Sequence, residues 1–242
     1  MKSIIEPGCV LSRRYFLESV AILSLTLASA STHAEGIIKL PLPGGPDDRE
    51  VTTRFPQKGE LILQRTRPPL LETPFDVFDK SIFTPNDQFF VRWHWAGIPT
   101  EVKFDTFRLA VRGHVDRELS LSLGDVLALP QAELAAVNQC SGNSRGYFQP
   151  RVAGGQWSNG AMGNARWTGV RLKDVLDRAG VKAGAVQVRF KGLDEPVVPD
   201  APYFMKSLDI DHAHDGEVML AYAMNGEQLP LLGYSIPAWS IR

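Results

Sequence analysis

Cysteine is scarce in this chain, with only Cys9 and Cys140 among its 242 residues. Two cysteines form one disulfide at most, which excludes a disulfide-stapled scaffold and a zinc site built from several cysteines. The chain also lacks an excess of either charge, since 26 Lys and Arg face 27 Asp and Glu for a net charge of −1. This balance provides no general electrostatic footprint for nucleic acid, so we expect no nucleic-acid partner.

A hydrophobic run of the length that spans a bilayer, about 20 residues, is lacking at the N terminus. The apolar stretch there covers only residues 20–27, follows the pair Arg13 and Arg14, and leads into small residues that end at Ala34. This order is typical of a cleaved signal of the twin-arginine type. We therefore expect residues 1–34 to be removed on export to the periplasm, leaving no stable membrane anchor. The alternative is an uncleaved anchor.

The composition is that of a globular protein, with 44% apolar, 22% charged and 9% aromatic residues. It excludes disorder and collagen-like structure. Pro and Gly are frequent and periodicity is weak between residues 40 and 74, which predicts an extended arm over residues 35–85 that wraps on a later domain. Strand and helix patterns mix without regular alternation over residues 86–232, which predicts an α+β fold of mixed sheets with short helices.

Several short signals locate individual elements of that domain. Apolar residues alternate with polar ones over residues 107–111 and 186–190, as they do in half-buried strands. Apolar residues at helical spacing predict a helix over residues 171–179 that stops at Gly180. Two further signals are a capping box and a hairpin turn, at Ser122 with Asp125 and at Asn225-Gly226.

Cys140 stands where the apolar residues 134–137 give way to a loop punctuated by glycine. Loops at strand ends often carry sites because a rigid sheet positions them, and Arg145 is close enough in the chain to favour a thiolate. Because Cys9 leaves with the signal, the mature protein has no partner for an intramolecular disulfide. Cys140 is therefore a buried inert thiol, a reactive thiol or a metal ligand.

Two other segments combine aromatic residues with polar ones. If residues 89–95 form a strand, Arg92 and His94 share one face, which suits an oxyanion or a phosphate. The alternative is an edge strand with a solvated Arg92 and a His94 held by structural hydrogen bonds. Residues 156–170 contain two tryptophans and several glycines, which indicates either a backbone that closely approaches another group or a packed tryptophan corner.

Together, the three segments resemble the sulfite oxidase family of mononuclear molybdenum enzymes, and in particular its bacterial exported sulfite dehydrogenase branch. The resemblance extends from about Arg67 to Leu232, and the block over residues 139–176 is its most specific part. It implies a molybdenum-molybdopterin cofactor whose metal is bound by one cysteine thiolate, a soft ligand suited to such a metal.

The resemblance also implies roles for individual residues. Cys140 matches the cysteine that ligates the metal. The residues that match the family's pterin-contacting positions are Trp93, His94 and Asp194, with Trp93 standing where animal relatives carry Asn. The residues that match the pocket for the oxyanion substrate are Arg92, Arg145 and Trp157.

The activity that the resemblance implies is oxidation of sulfite, or a related sulfur oxyanion, to sulfate. Sulfite carries about two negative charges near neutral pH, so bringing it to a partly desolvated metal requires fixed cations, which Arg92 and Arg145 provide. The chain has no C-x-x-C-H haem motif. We therefore expect the electrons to pass to a separate acceptor, a periplasmic c-type cytochrome.

The resemblance breaks after Leu232, where relatives continue with more of the cofactor site and with an immunoglobulin-like dimerisation domain. Residues 233–242 form a divergent tail, so we expect a truncated catalytic domain without the dimerisation domain; relatives are homodimers, and the assembly here stays open. The alternatives are a metal-poor, non-catalytic remnant and a periplasmic molybdopterin reductase of sulfoxides. His212 and His214, in a polar stretch, are expected in a surface loop.

Overall fold

The structure is a computed structural model that describes residues 36–99, 101–230 and 238–241. The predicted signal over residues 1–34 lies outside the described residues, as do the boundary at Leu232 and most of the predicted tail. The strands are β1 (Gly36–Lys39), β2 (Asp48–Thr52), β3 (Leu61–Arg65), β4 (Leu70–Glu72), β5 (Val91–Arg92), β6 (Leu109–Val111), β7 (Leu119–Leu121), β8 (Gln131–Gln139), β9 (Met162–Arg171), β10 (Gln187–Lys191), β11 (Met205–Asp209), β12 (Met219–Met224), β13 (Glu227–Gln228) and β14 (Ala238–Ile241). The α-helices are α1 (Leu123–Leu127), α2 (Leu172–Ala179) and α3 (Ile210–His214), and 3-10 turns cover Phe75–Asp79 and Arg145–Tyr147.

The strands form antiparallel sheets, in the orders β1-β2-β3-β4-β5, β13-β12-β9-β8, β11-β10-β14 and β6-β7. This strand-rich arrangement with few short helices confirms the predicted α+β class. In the part of the chain that the structure describes, no helix is both long and apolar enough to cross a membrane.

The first sheet corrects the prediction for the N-terminal part of the chain. The sequence predicts an extended arm over residues 35–85, but β1 to β4 lie there and pair in one sheet that continues into β5. These four strands have three to five residues each, too few to show a clear period in the sequence. The Pro and Gly clusters that suggested an arm fall in the turns between them. The division of the chain at residue 86 stays a prediction.

The second sheet is built on the long pairing of β8 with β9. Gln131 lies opposite Val170 and Gln139 opposite Met162, so β8 ends one residue before Cys140. The prediction that this cysteine follows a strand is thus confirmed. The hairpin between β12 and β13 is confirmed too: Asn225 and Gly226 both have positive φ, at 54° and 80°, as a two-residue turn of this type requires.

Helix α2 packs its apolar face into a separate core with the third sheet. The side chains of Leu172, Val175 and Leu176 are fully buried, and roughly 1.5–3 kcal/mol accompanies the burial of each such side chain. Gly180 ends the helix with φ of 70°, which confirms the predicted helix and its stop. The predicted capping box at the start of α1 is confirmed as well, with reciprocal hydrogen bonds between Ser122 and Asp125.

A buried carboxylate joins the first sheet to the loop that precedes β9. Glu72, at the end of β4, is fully buried and accepts hydrogen bonds from the backbone N–H groups of Ser158 and Gly160, at 3.1 and 2.8 Å. The Ser158 hydroxyl and the Gln64 amide also donate to it. Gly160 is required here because a Cβ would overlap the Thr73 carbonyl oxygen. Four donors thus replace the water that this charge loses on burial.

We expect Glu72→Gln to lower the free energy of unfolding by about 3 kcal/mol, because a side-chain amide presents donors to groups that are themselves donors and leaves them unsatisfied. Urea unfolding measures this change. Glu60→Gln, at an exposed glutamate, is the matched control and should change stability by less than ~0.5 kcal/mol. Equal stability of the two variants would show that the Glu72 hydrogen bonds do not hold the sheet and loop together.

Lys58 is a second buried charged residue of the first sheet region. Its ammonium donates to the backbone carbonyls of Asn86 and Phe89, at 2.9 and 3.0 Å. Burial lowers the pKa of Lys58 from 10.5 to about 8, although Asp87 acts to raise it. The folded protein therefore releases this proton more readily than the unfolded chain does.

Stability should consequently rise with pH between about pH 8 and 10.5, because in that window the unfolded chain holds the Lys58 proton and the folded protein does not. The gain approaches roughly 3 kcal/mol at the upper end. The measurement is the difference in unfolding free energy between the parent protein and Lys58→Met, taken at about pH 7.5 and 10.5, since other titrating groups cancel in that difference. A difference that is constant across the window would contradict the assignment.

Candidate functional site

The loop after β8 places Cys140 at the boundary between the core and the surface. The Cys140 N–H donates to the Ala161 carbonyl at 2.9 Å, and the Gly142 N–H donates to Sγ at 3.4 Å. The side chain is half-buried, is not in a disulfide, and packs against the apolar cluster of the second sheet. The sulfur is therefore held in place and accepts one hydrogen bond, as the sulfur of a thiolate ligand would.

Hydrogen bonds fasten this loop to residues 157–161. The Ser144 N–H donates to the Ser158 carbonyl at 2.7 Å, and the Gly146 N–H donates to the Trp157 carbonyl at 2.9 Å. The Ala161 N–H donates to the Asn143 side-chain oxygen at 2.9 Å. Because Glu72 also bonds Ser158 and Gly160, residues 157–161 connect the Cys140 loop to the first sheet.

Arg145 folds back over its own loop. Its guanidinium lies against Gly142 and Gly154, where added Cβ atoms would meet it; the one at Gly142 would come within 3.0 Å. Glycine at both positions leaves the space that this group occupies. Arg145 is thus near Cys140 in the fold as well as in the chain, and among the described residues no carboxylate forms an ion pair with it.

A second group of predicted site residues gathers around the end of β5. Arg92 is exposed, Trp93 is buried and His94 is half-buried, so the alternation expected of a strand holds although the strand itself covers only Val91–Arg92. Asp194 is buried, at 2% exposure, and its Oδ2 lies 3.4 Å from the Trp95 N–H that donates to it. The structure therefore brings Asp194 to the segment that follows β5, about a hundred residues earlier in the chain.

Three buried polar atoms of this second group have no hydrogen-bond partner within the protein. They are the ring N–H groups of Trp93 and Trp95 and the Oδ1 of Asp194. Unsatisfied buried atoms are costly; the two indole N–H groups call for acceptors on a ligand, and the Asp194 oxygen calls for a donor. A pterin ring carries amino and ring N–H donors beside a carbonyl acceptor, so its polar groups fit these atoms of the protein.

His94 stacks on Phe204, with ring centroids 4.1 Å apart and planes 14° from parallel. The cations of Arg92 and Lys206 lie over the same Phe204 ring, at 5.5 and 5.3 Å from its centroid. Burial lowers the pKa of His94 below its ordinary value of 6.5, and the neighbouring Arg92 lowers it further, while Asp194 raises it. The imidazole is therefore neutral at pH 7 and keeps one nitrogen able to accept and one able to donate.

Trp157 is a buried residue of the core. Its side chain is 2% exposed and belongs to a core cluster with Leu70, Phe89 and Trp167. A tryptophan in a glycine-rich segment has the same sequence pattern whether it lines a pocket or fills a core, so the sequence alone could not distinguish these two positions. Its contact with substrate stays a prediction.

Leu70 links the two groups of site residues. It pairs with Arg92 across β4 and β5, and its side chain belongs to the apolar cluster on which Cys140 packs. The sequence did not identify Phe204 or Glu72. An acid directly after the buried pair Leu70-Leu71 was the one available signal for Glu72.

The two histidines near the C-terminal end of the described chain take no part in this site. His212 and His214 lie on the short helix α3 and not in the surface loop that the sequence predicts, because residues 210–214 close a helical turn. His212 Nδ1 contacts Asp215 at 2.7 Å and His214 Nε2 contacts Asp177 at 2.7 Å. Each histidine therefore has an acidic partner at the protein surface.

Comparison with known proteins finds relatives of this chain over more than half of its length. The family model "Oxidoreductase molybdopterin binding domain" matches residues 95–233, more than half of the chain. The mitochondrial sulfite oxidase of Rattus norvegicus is 38% identical over 177 residues, which cover 70% of this chain and 32% of that protein. The sulfite oxidase of Gallus gallus is 34% identical over 197 residues, 78% of this chain and 42% of that protein.

Two more distant proteins share the fold or part of the sequence. The nitrate reductase [NADH] of Ulva prolifera is 32% identical over 212 residues, 80% of this chain and 24% of that protein. The crystal structure of the sulfane dehydrogenase SoxCD from Paracoccus pantotrophus superimposes with a TM-score of 0.57 at 19% identity, covering 98% of this chain and 56% of that chain.

The chain spans about a third of the length of the mammalian sulfite oxidases that it matches. The family match nevertheless includes Cys140, Arg145 and Asp194. The chain therefore belongs to the oxidoreductase molybdopterin-binding domain family, and the cofactor of this family is molybdenum bound to molybdopterin.

Proposed function

We propose that this chain carries the site of an enzyme that oxidises sulfite, or a related sulfur oxyanion, to sulfate. The observation that carries the proposal is the placement of one half-buried cysteine sulfur in a loop fixed by backbone hydrogen bonds, with the Arg145 guanidinium in the same loop. A soft thiolate beside an unpaired cation combines a metal ligand with a group that attracts an anion.

Residues of both site groups have a place in holding the cofactor. Cys140 would ligate the molybdenum, and the Trp93, Trp95 and Asp194 atoms that lack partners would bond the pterin. When bound, the cofactor supplies the two-electron redox chemistry and an exchangeable oxygen, and the protein supplies binding and orientation. The neutral His94 adds one donor and one acceptor without adding charge.

The arginines act on the substrate. Sulfite loses hydration when it approaches a partly buried site, and Arg145 and Arg92 offset that loss with fixed positive charge and planar sets of donors. Neither guanidinium is neutralised by a carboxylate of the described residues, so both keep their charge for the substrate. Orientation of the anion by these two groups is their proposed contribution to rate.

The proposal extends to the setting of the enzyme. The paired arginines near the N terminus support twin-arginine export to the periplasm. A c-type cytochrome is the proposed electron acceptor, since this chain contains no haem-attachment motif. The direct test is a steady-state assay of the full chain with sulfite as donor and ferricyanide as acceptor. Reduction of methyl sulfoxides by a reduced dye, with no oxidation of sulfite, would instead establish a reductase.

We expect Cys140→Ser to abolish retention of molybdenum while leaving the fold intact, because the hydroxyl nearly matches the thiol in size but is a poor soft ligand. Metal analysis of the purified protein measures the loss, and urea unfolding checks that stability falls by less than ~1 kcal/mol. Ser141→Ala, at the exposed neighbouring position, is the control and should keep its metal. Unchanged molybdenum in the serine variant would overturn the assignment of Cys140.

Asp194→Asn separates a cofactor contact from a structural one. The variant removes a buried charge whose Oδ1 has no partner, so the cofactor-free protein should be at least as stable as the parent. Retention of the pterin should fall severalfold, because the amide offers one acceptor oxygen where the carboxylate offers two. Pterin fluorescence after denaturation, together with urea unfolding, measures the two effects. A less stable variant with full pterin content would assign Asp194 to the fold alone.

A further inference from the structure

A cleft beside the proposed site has three arginines among its lining residues. Its volume is about 170 Å³, and it opens between the first sheet and the segment before β9. The lining residues are Arg49, Gln64, Arg65, Leu70, Arg151, Gly154, Gly155 and Gln156. No carboxylate is among them, so the cleft concentrates positive charge in a concave surface, where a field acts most strongly on a small anion.

The arginines of the cleft keep their full charge. Arg49 donates to the carbonyls of Pro46 and Asp48, both at 2.8 Å, and Arg151 donates to the Gly44 carbonyl at 2.9 Å. These bonds fix the guanidinium groups but do not neutralise them. Across the described ranges, Arg49, Arg65 and Arg151 form no ion pair with a carboxylate.

The carboxylate bonded to the cleft wall is already occupied. The Gln64 amide, on the wall of the cleft, donates to the buried Glu72 carboxylate at 2.6 Å. That carboxylate also accepts from Ser158 and Gly160, so its charge is compensated by several donors. The side-chain oxygen of Gln64 accepts from Arg49 Nε at 3.2 Å. Glu72 therefore fixes the position of Gln64 on the cleft wall. Because its own charge is already compensated by donors, it offsets little of the positive charge of the arginines.

The cleft adjoins both groups of the proposed site. Gly154, on its wall, contacts the guanidinium of Arg145. Leu70, which also lines the cleft, pairs with Arg92 across β4 and β5. Arg65 is close enough to His94 to lower the pKa of that imidazole. An anion in the cleft would therefore lie close to Arg145 and beside the strand pair that carries Arg92.

The size of the cleft selects its occupant. Sites for cofactor-sized ligands have volumes of about 300–1,000 Å³, whereas 170 Å³ accommodates a small inorganic oxyanion with a few waters. The pterin is thus too large for the cleft, and a sulfur oxyanion is of suitable size and charge.

We propose that Arg49, Arg65 and Arg151 form an entry subsite that binds the doubly charged sulfur oxyanion before it reaches Arg145 and Arg92. The inference rests on the proposed function, because it assigns the anion as that enzyme's substrate. Arg65 and Arg151 determine capture and specificity and do not contact the reacting atoms. Their loss should therefore raise KM far more than it lowers kcat.

Calorimetric titration of the purified full chain with sodium sulfite at low ionic strength tests the subsite directly. We expect about tenfold weaker binding of sulfite in each of Arg65→Gln and Arg151→Gln, as the loss of one charge-assisted contact implies. Arg112→Gln, an exposed arginine that does not line the cleft, is the matched control and should bind as the parent does. Equal weakening in the control, or none in both cleft variants, would overturn the proposal.

Two further arms separate the subsite from the proposed function. Titration with sodium phosphate should be weaker than with sulfite, and equal binding would mean a general anion site and not a substrate site. With cofactor-loaded protein, KM for sulfite should rise about tenfold in Arg65→Gln. If the parent protein never oxidises sulfite, but both cleft variants still bind sulfite more weakly than it does, the function is refuted and the subsite is supported. If the protein oxidises sulfite and both variants keep the parent's KM and binding, the subsite alone is refuted.

Discussion

The buried carboxylate of Glu72 is the interaction on which the site depends. It lies at the end of a three-residue strand and takes hydrogen bonds from Ser158 and Gly160, and residues 157–161 in turn hold the Cys140 loop. An uncompensated charge in that position would cost several kcal/mol, so the carboxylate determines the path of every backbone group that bonds to it. The first sheet therefore supports the Cys140 loop structurally and is not an arm that packs on a domain already complete without it.

The same sheet also supplies charge to the site. Arg65 ends β3 and Arg92 ends β5, and both are exposed, while Arg145 comes from the loop after β8. Holding unpaired cations close together costs free energy through mutual repulsion, and a fold selected for stability alone would pair them with carboxylates. Asp194 is the acid nearest to His94 in this region, and its second oxygen is left without a partner. The uncompensated charges and atoms are thus concentrated where a cofactor and an anion would bind.

Beyond the fold class and the cofactor, the structural details that the sequence predicted correctly were local. The capping box of Ser122, the stop at Gly180 and the turn at Asn225-Gly226 depend on residues within four positions of each other, and each is present. The first sheet was missed because short strands separated by Pro and Gly show no period. Phe204 was missed because its place beside His94 depends on contacts between distant parts of the chain, and a tryptophan such as Trp157 carries no mark that distinguishes core from pocket.

The neutrality of His94 follows from this concentration of charge. Burial removes the water that would solvate an imidazolium, and Arg92, Lys206 and Arg65 all oppose a further positive charge. The Phe204 ring stacks on the imidazole, and Arg92 and Lys206 lie over the same ring, at 5.5 and 5.3 Å from its centroid. A protonated His94 would have to be balanced by Asp194, which would then be less free to bond a pterin. Keeping the imidazole neutral therefore leaves the carboxylate for the cofactor and the arginines for the anion.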